Sequence, residues 1–110
     1  MPALRMTVQT QAVLHALLAD PTAELYGLEI AERTNLLPGS TYPILTRLLE
    51  AGWIKDRWEE VDPHDERRPR RRYYRLTEDG AASAREALRK TTKSLAESLP
   101  IWNATVEGTS

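Results

Sequence analysis

The sequence predicts a mainly α-helical domain with a single two-stranded β-hairpin. Apolar residues recur at three- and four-residue spacing over three stretches before Gly52 and one long stretch after Thr77. Between them the pattern switches to alternation on either side of a charged, proline-bearing loop. A further observation concerns function: residues 67–77, RRPRRRYYRLT, place six arginines within nine positions of a chain whose formal net charge is only −1.

The first helix is expected between Thr7 and Ala19, where Val8, Ala12, Val13, Leu17 and Leu18 fall at helical spacing, Thr7 can cap and Pro21 lies just beyond the end. A second helix starts at Ala23 or Tyr26 and runs to Thr34, with Leu25, Leu28, Ile30 and Ala31 as its apolar residues and Asn35 as its stop. The third follows LLPGS. With Ser40 as N-cap, Pro43 falls in the first turn, where its missing N–H leaves no intrahelical bond unmade. Ile44, Leu45, Leu48 and Leu49 then share one side, Pro43, Thr46, Arg47 and Glu50 face away, and Gly52 ends the helix.

From Trp53 to Val61 the residues alternate as in a half-buried strand, Ile54 and Trp58 on one side and Lys55, Arg57 and Glu59 on the other. DPHDERRP has two prolines, five ionised side chains and no apolar residue, and RRRYYRL resumes an alternation that joins Tyr74 to Leu76. The result is a hairpin with a long charged tip, within which Trp58 and Tyr74 are expected to pack. Thr77 can cap the long helix that follows, and Glu78 and Asp79 suit the positive end of its dipole. Ala81, Ala84, Leu88, Thr91 and Leu95, then Leu99 or Trp102, trace a coiled-coil seam that Pro100 ends or kinks. IWNATVEGTS has too little apolar surface to order itself, so residues 100–110 are expected to be a largely flexible tail with Ile101 and Trp102 docked.

The totals narrow the function classes. A chain of 110 residues with 41% hydrophobic content suits one domain around a small core. Without cysteine there is no disulfide framework and no thiolate ligand or nucleophile, which agrees with the cytoplasm. MPALRMTVQT has no apolar targeting core, and no apolar run approaches the roughly 18 residues of a membrane span. Phosphate-loop, dinucleotide, nucleophile-elbow and zinc-protease motifs are absent, so catalysis and a cofactor are not expected. His15 beside apolar neighbours, and Asp62, His64 and Asp65 in a charged turn, are read as ordinary surface chemistry, not metal ligands.

Three helices followed by a hairpin make a winged helix-turn-helix, whose third helix enters the DNA major groove while the hairpin reaches phosphates or the minor groove. Hydroxyls and free N–H groups of Ser40, Thr41 and Tyr42 at the front of the third helix would meet phosphates and base edges; the plain alternative is capping plus a core tyrosine. Pro43, Thr46 and Arg47 lie on the outward side, although Arg47 could instead pair with Glu50 or Glu29. On the wing, Arg67, Arg68, Arg70, Arg71 and Arg72 supply local charge to a chain with pI near 6.1. Their bland alternative is pairing with Asp62, Asp65 and Glu66.

These residues carry a resemblance to the PadR family of transcriptional regulators. Its landmarks stand here as Tyr26-Gly27-Leu28-Glu29-Ile30, as Gly39-Ser40-Thr41-Tyr42-Pro43-Ile44-Leu45-Thr46-Arg47-Leu48 with Gly52, and as Arg68-Pro69 running into Tyr73-Tyr74-Arg75-Leu76-Thr77. The match spans roughly residues 8–95. Where the family's wing has a glycine before its Arg-Pro pair, this sequence has Arg67, which raises the charge of the tip. The single short C-terminal helix resembles the smaller subfamily.

The resemblance implies a DNA-binding repressor acting as a homodimer on a palindromic operator, with Tyr26 among its DNA contacts. Residues 1–76 would form the DNA-binding domain and 77–99 the dimerisation helix. Val8, Ala12, Leu17, Ala84, Leu88, Leu95, Leu99 and Trp102 would form the dimer interface. Trp102 either anchors that seam or lines a cleft for a small planar aromatic effector. A winged helix used only for protein contacts is the alternative function.

Overall fold

The computed structural model describes residues 4–98, so the expectations placed on Leu99, Pro100, Ile101 and Trp102 lie outside the described residues. Thr7, extended at φ −65° and ψ 162°, accepts the Thr10 N–H at 3.1 Å and starts α1 (Val8–Leu18) where the sequence predicts. A two-residue strand, β1 (Leu25–Tyr26), precedes α2 (Gly27–Thr34), which Asn35 closes in the left-handed region at φ 58°. Then come α3 (Pro38–Glu50), β2 (Ile54–Trp58), α4 (Pro63–Glu66), β3 (Arg72–Leu76) and α5 (Glu78–Ser98).

α3 departs from expectation at its start. Leu37, not Ser40, is the N-cap, because Pro38 fits the first helical position, where its fixed φ helps and its missing N–H costs nothing. Pro43 is consequently the sixth helical residue instead of a first-turn residue, and the Gly39 carbonyl loses its usual donor. Gly39 is exposed, so water can serve that carbonyl.

The sheet also has one strand more than expected. β1 pairs antiparallel with β3 through Leu25↔Tyr74 and Tyr26↔Tyr73, giving the order β1-β3-β2. β2 and β3 form the hairpin from Ile54↔Leu76 to Trp58↔Arg72. β2 stops at Trp58, short of Val61, and the tip folds into the single turn of α4.

One core joins every major element: Val13, Leu14 and Leu17 of α1, Ile30 of α2, Ile44, Leu45 and Leu48 of α3, Ile54, Tyr74 and Leu76 of the sheet, and Ala81, Ala84 and Leu88 of α5. Each buried leucine or isoleucine contributes about 1.5–3 kcal/mol. α5 is seated by Thr77, whose hydroxyl accepts the Gly80 N–H at 2.8 Å while its own N–H reaches the Trp53 carbonyl at 3.0 Å. Gly80 stands where a capping box would carry glutamate because a Cβ there would lie 1.8 Å from the Trp53 carbonyl oxygen.

This seating corrects the expected dimer surface. Leu17, Ala84 and Leu88 are 2%, 0% and 8% exposed, taken up chiefly by the chain's own core. Val8 and Leu95 remain exposed and Ala12 half-buried. The seam of α5 therefore divides, its first half packing on α1 and β3 and its second half running past the body.

Candidate nucleic-acid interface

On α3, Ser40, Tyr42, Pro43, Thr46 and Arg47 are exposed on the side opposite Ile44, Leu45 and Leu48. Thr41 is a correction: it is fully buried, and its hydroxyl donates to the Leu37 carbonyl at 3.1 Å. It lies three, four and seven residues before Ile44, Leu45 and Leu48, on the same buried side of the helix, so a DNA contact is removed from its role. Thr46 donates to the Tyr42 carbonyl at 3.1 Å and keeps its oxygen outward as an acceptor. Arg47 pairs with neither Glu50 nor Glu29, and the latter meets Arg33 at 3.5 Å.

The five wing arginines divide into two kinds. Arg68 grips Glu59 with both terminal nitrogens, at 2.7 and 3.1 Å, and Glu59 also accepts the Arg71 N–H at 3.3 Å and the Tyr73 hydroxyl at 3.4 Å. The Arg68 guanidinium, opposed by desolvation and seconded by the Arg71 N–H, holds the Glu59 carboxyl down at about 2. Arg72 is similarly tied to Asp56. Two of the five thus act as clamps between the hairpin strands.

Arg67, Arg70 and Arg71 have no carboxylate partner among the described residues. Asp62, Asp65 and Glu66, the partners expected under the bland alternative, pair with none of the arginines; Asp62 accepts the His64 N–H at 2.9 Å. The Arg70 Nε donates to the Val61 carbonyl at 2.8 Å, which holds its stem and leaves its charge uncompensated. Arg71 lies 4.5 Å over the Tyr26 ring, which itself meets Tyr73 edge-on at 6.0 Å. Arg67 takes the left-handed region at φ 56°, the conformation for which a glycine would be chosen.

Between the start of α2, the front of α3 and the wing runs an open groove of about 530 Å³, with Tyr26, Leu28, Tyr42, Trp58, Arg70 and Arg71 among its walls. Trp58 was expected to pack within the hairpin, yet it is 58% exposed. It shares the sheet face of Ile54 and Tyr74, but that face outruns the body, and the residue opposite Trp58 is Arg72, not an apolar partner. The signal in the sequence was that missing partner.

A three-helix body with an open helix front and a basic hairpin beside it defines a winged-helix protein, the class whose third helix and wing address duplex DNA. The family model described as the transcriptional regulator PadR-like family matches residues 13–86, and this chain belongs to that family.

Solved structures agree on the fold. The PcaV transcriptional regulator from Streptomyces coelicolor is similar at 25% identity and a TM-score of 0.63, covering 96% of this chain and 74% of that one. Bacillus subtilis PadR, solved in complex with operator DNA, is 22% identical with a TM-score of 0.61 over 78% of this chain, which spans 49% of that protein. A PadR-like transcriptional regulator from Bacillus cereus is 20% identical with a TM-score of 0.57, covering 84% and 92%. No curated protein matches. Among the described residues no helix is long and apolar enough to cross a membrane.

Proposed function

We propose that the protein is a sequence-specific regulator that binds double-stranded DNA as a homodimer and acts in the cytoplasm as a repressor. The observation that carries this reading is the side-by-side placement of an α3 face that exposes Ser40, Tyr42, Pro43, Thr46 and Arg47 and a wing whose Arg67, Arg70 and Arg71 have no carboxylate salt-bridge partner among the described residues. Base edges would be read by the outward residues of α3 in the major groove, and phosphates held by the wing and by Tyr26 with Arg71. Bacillus subtilis PadR, a structural neighbour solved in complex with operator DNA, supports duplex DNA as the partner here.

Homodimerisation is supported by α5. Beyond Leu88 it continues to Ser98, about 15 Å of helix at 1.5 Å per residue, without joining the core. A second copy seated on the outer half of α5 and on Val8 and Ala12 of α1 would present two α3 helices to half-sites one turn apart, roughly 34 Å. Release by a small aromatic effector rests on Trp102, which lies outside the described residues.

The test is fluorescence anisotropy of a labelled duplex from upstream of the protein's own gene against a scrambled duplex at two salt concentrations. Tighter, salt-sensitive binding of the first is expected, with Arg70→Ala/Arg71→Ala weakening both and lowering the salt slope by about 2. Equal, salt-independent signals would instead favour a winged helix used for protein contacts.

A further inference from the structure

We propose that Trp58 is a DNA-contacting residue whose indole packs against one deoxyribose–phosphate strand seated in the groove between α3 and the wing; this rests on the DNA-binding reading above. Three observations converge. Trp58 is more than half exposed, although a large aromatic on a strand that carries Ile54 would ordinarily be covered. Its ring is held in place: Arg72, its cross-strand partner, lies 5.7 Å from it and is itself fixed by Asp56. The groove that it walls is also lined by Tyr42 of α3 and by Arg70 and Arg71 of the wing.

The occupant follows from the chemistry of these walls. Arg70 and Arg71 lack carboxylate partners among the described residues and offer charge to an anion, while Trp58 and Tyr42 offer flat apolar surface. A sugar–phosphate strand alternates those two needs along its length, anionic at each phosphate and apolar at each sugar face. The groove is open to solvent, and through Tyr42 it adjoins the exposed front of α3. An indole contributes no charge, so its contact has a signature that an arginine contact lacks.

That signature is the test. Trp58→Ala is expected to weaken binding of a labelled duplex of about 20 base pairs by roughly tenfold, irrespective of sequence, while leaving the salt slope unchanged. Arg70→Ala/Arg71→Ala lowers both affinity and slope. Trp58→Phe, which keeps a flat ring, should recover most of the affinity, and circular dichroism checks that each variant is folded. Saturating duplex should also change the tryptophan emission of the parent protein and leave that of Trp58→Phe nearly constant. Parental affinity in Trp58→Ala, or the same emission change in Trp58→Phe as in the parent, overturns the inference while the DNA-binding reading stands. Absence of any duplex binding by the parent protein at low salt overturns both.

Discussion

The Tyr42 ring lies across the first residue of α2 so closely that a Cβ on Gly27 would stand 2.5 Å from its hydroxyl oxygen and 2.6 Å from its ring edge. Gly27 thereby lets a residue of the DNA-facing helix rest on the start of its neighbour, where it walls the groove. Tyr42 is 42% exposed and can swing outward, so Gly27→Ala should displace the ring without unfolding the chain. The expected outcome is a melting temperature within a few degrees of the parent and duplex affinity reduced about fivefold, roughly 1 kcal/mol. Unchanged affinity would remove Tyr42 from the interface.

Gly80 presents the opposite case, because the group in the way is backbone. A Cβ there would lie 1.8 Å from the Trp53 carbonyl oxygen, which also accepts the Thr77 N–H and cannot turn aside without breaking that bond. Gly80→Ala should lower stability by about 2–3 kcal/mol through forced displacement of α5 from the sheet. Urea denaturation measures it, and a loss under 0.5 kcal/mol, roughly the scatter of surface substitutions, would mean that α5 is seated differently.

Much of this arrangement was legible in the sequence. Thr7 and Thr77 announce their helices because a hydroxyl before an apolar repeat has one common use, and both cap as read. Tyr74 and Leu76 declare the buried face of β3 by alternation. What escaped was decided by contacts across the fold. Ser40 looked like a cap, but Pro38 was a better start, while the burial of Thr41 follows its spacing to Ile44, Leu45 and Leu48. β1 is two residues long and shows no period at all. The seam from Ala84 to Leu88 has coiled-coil spacing whichever partner it meets, and spacing could not tell the chain's own core from a second subunit. Likewise, a run of arginines does not reveal that Asp56 on the facing strand and Glu59 just beyond it bind Arg72 and Arg68.

Arg67 sits at φ 56°, where a side chain is strained by about 1 kcal/mol or more relative to glycine. Its N–H closes the turn of α4 onto the His64 carbonyl at 3.3 Å, which fixes this conformation. Arg67→Gly should therefore raise stability by about 0.5–1 kcal/mol while lowering the salt slope of DNA binding by about one. Thermal melts and anisotropy at several salt concentrations read the two effects separately. A stabilised variant with the parent's slope would show that Arg67 serves no phosphate.

Glu59 gives the wing an acid limit. Its carboxyl is held at about 2 in the folded chain by Arg68, against an ordinary value of 4.5. A folded value below the unfolded one means that the contribution is complete above about 4.5 and fades as pH falls from there toward 2. Glu86 is lowered too, by Arg89 on α5, so the pH dependence of the parent must be compared with that of Glu59→Gln. The variant should lose stability near neutral pH and show a shallower acid limb. Superimposable acid limbs would mean that the Glu59–Arg68 clamp does not persist in solution.

The last prediction separates the two halves of α5. Leu88 is buried among Ala84 and the α1 residues of the same chain, so Leu88→Asp places an unpaired charge in the core and should unfold the protein. Leu95 and Val8 are 52% and 78% exposed in the single chain, and the proposed homodimer would cover them. Val8→Asp/Leu95→Asp should keep the fold by circular dichroism and shift the mass in light scattering from dimer to monomer. Duplex affinity should then fall steeply, because each α3 would engage its half-site without the other linked to it. A double variant that remains dimeric would place the interface elsewhere, and the outer half of α5 would need a different partner to account for its length.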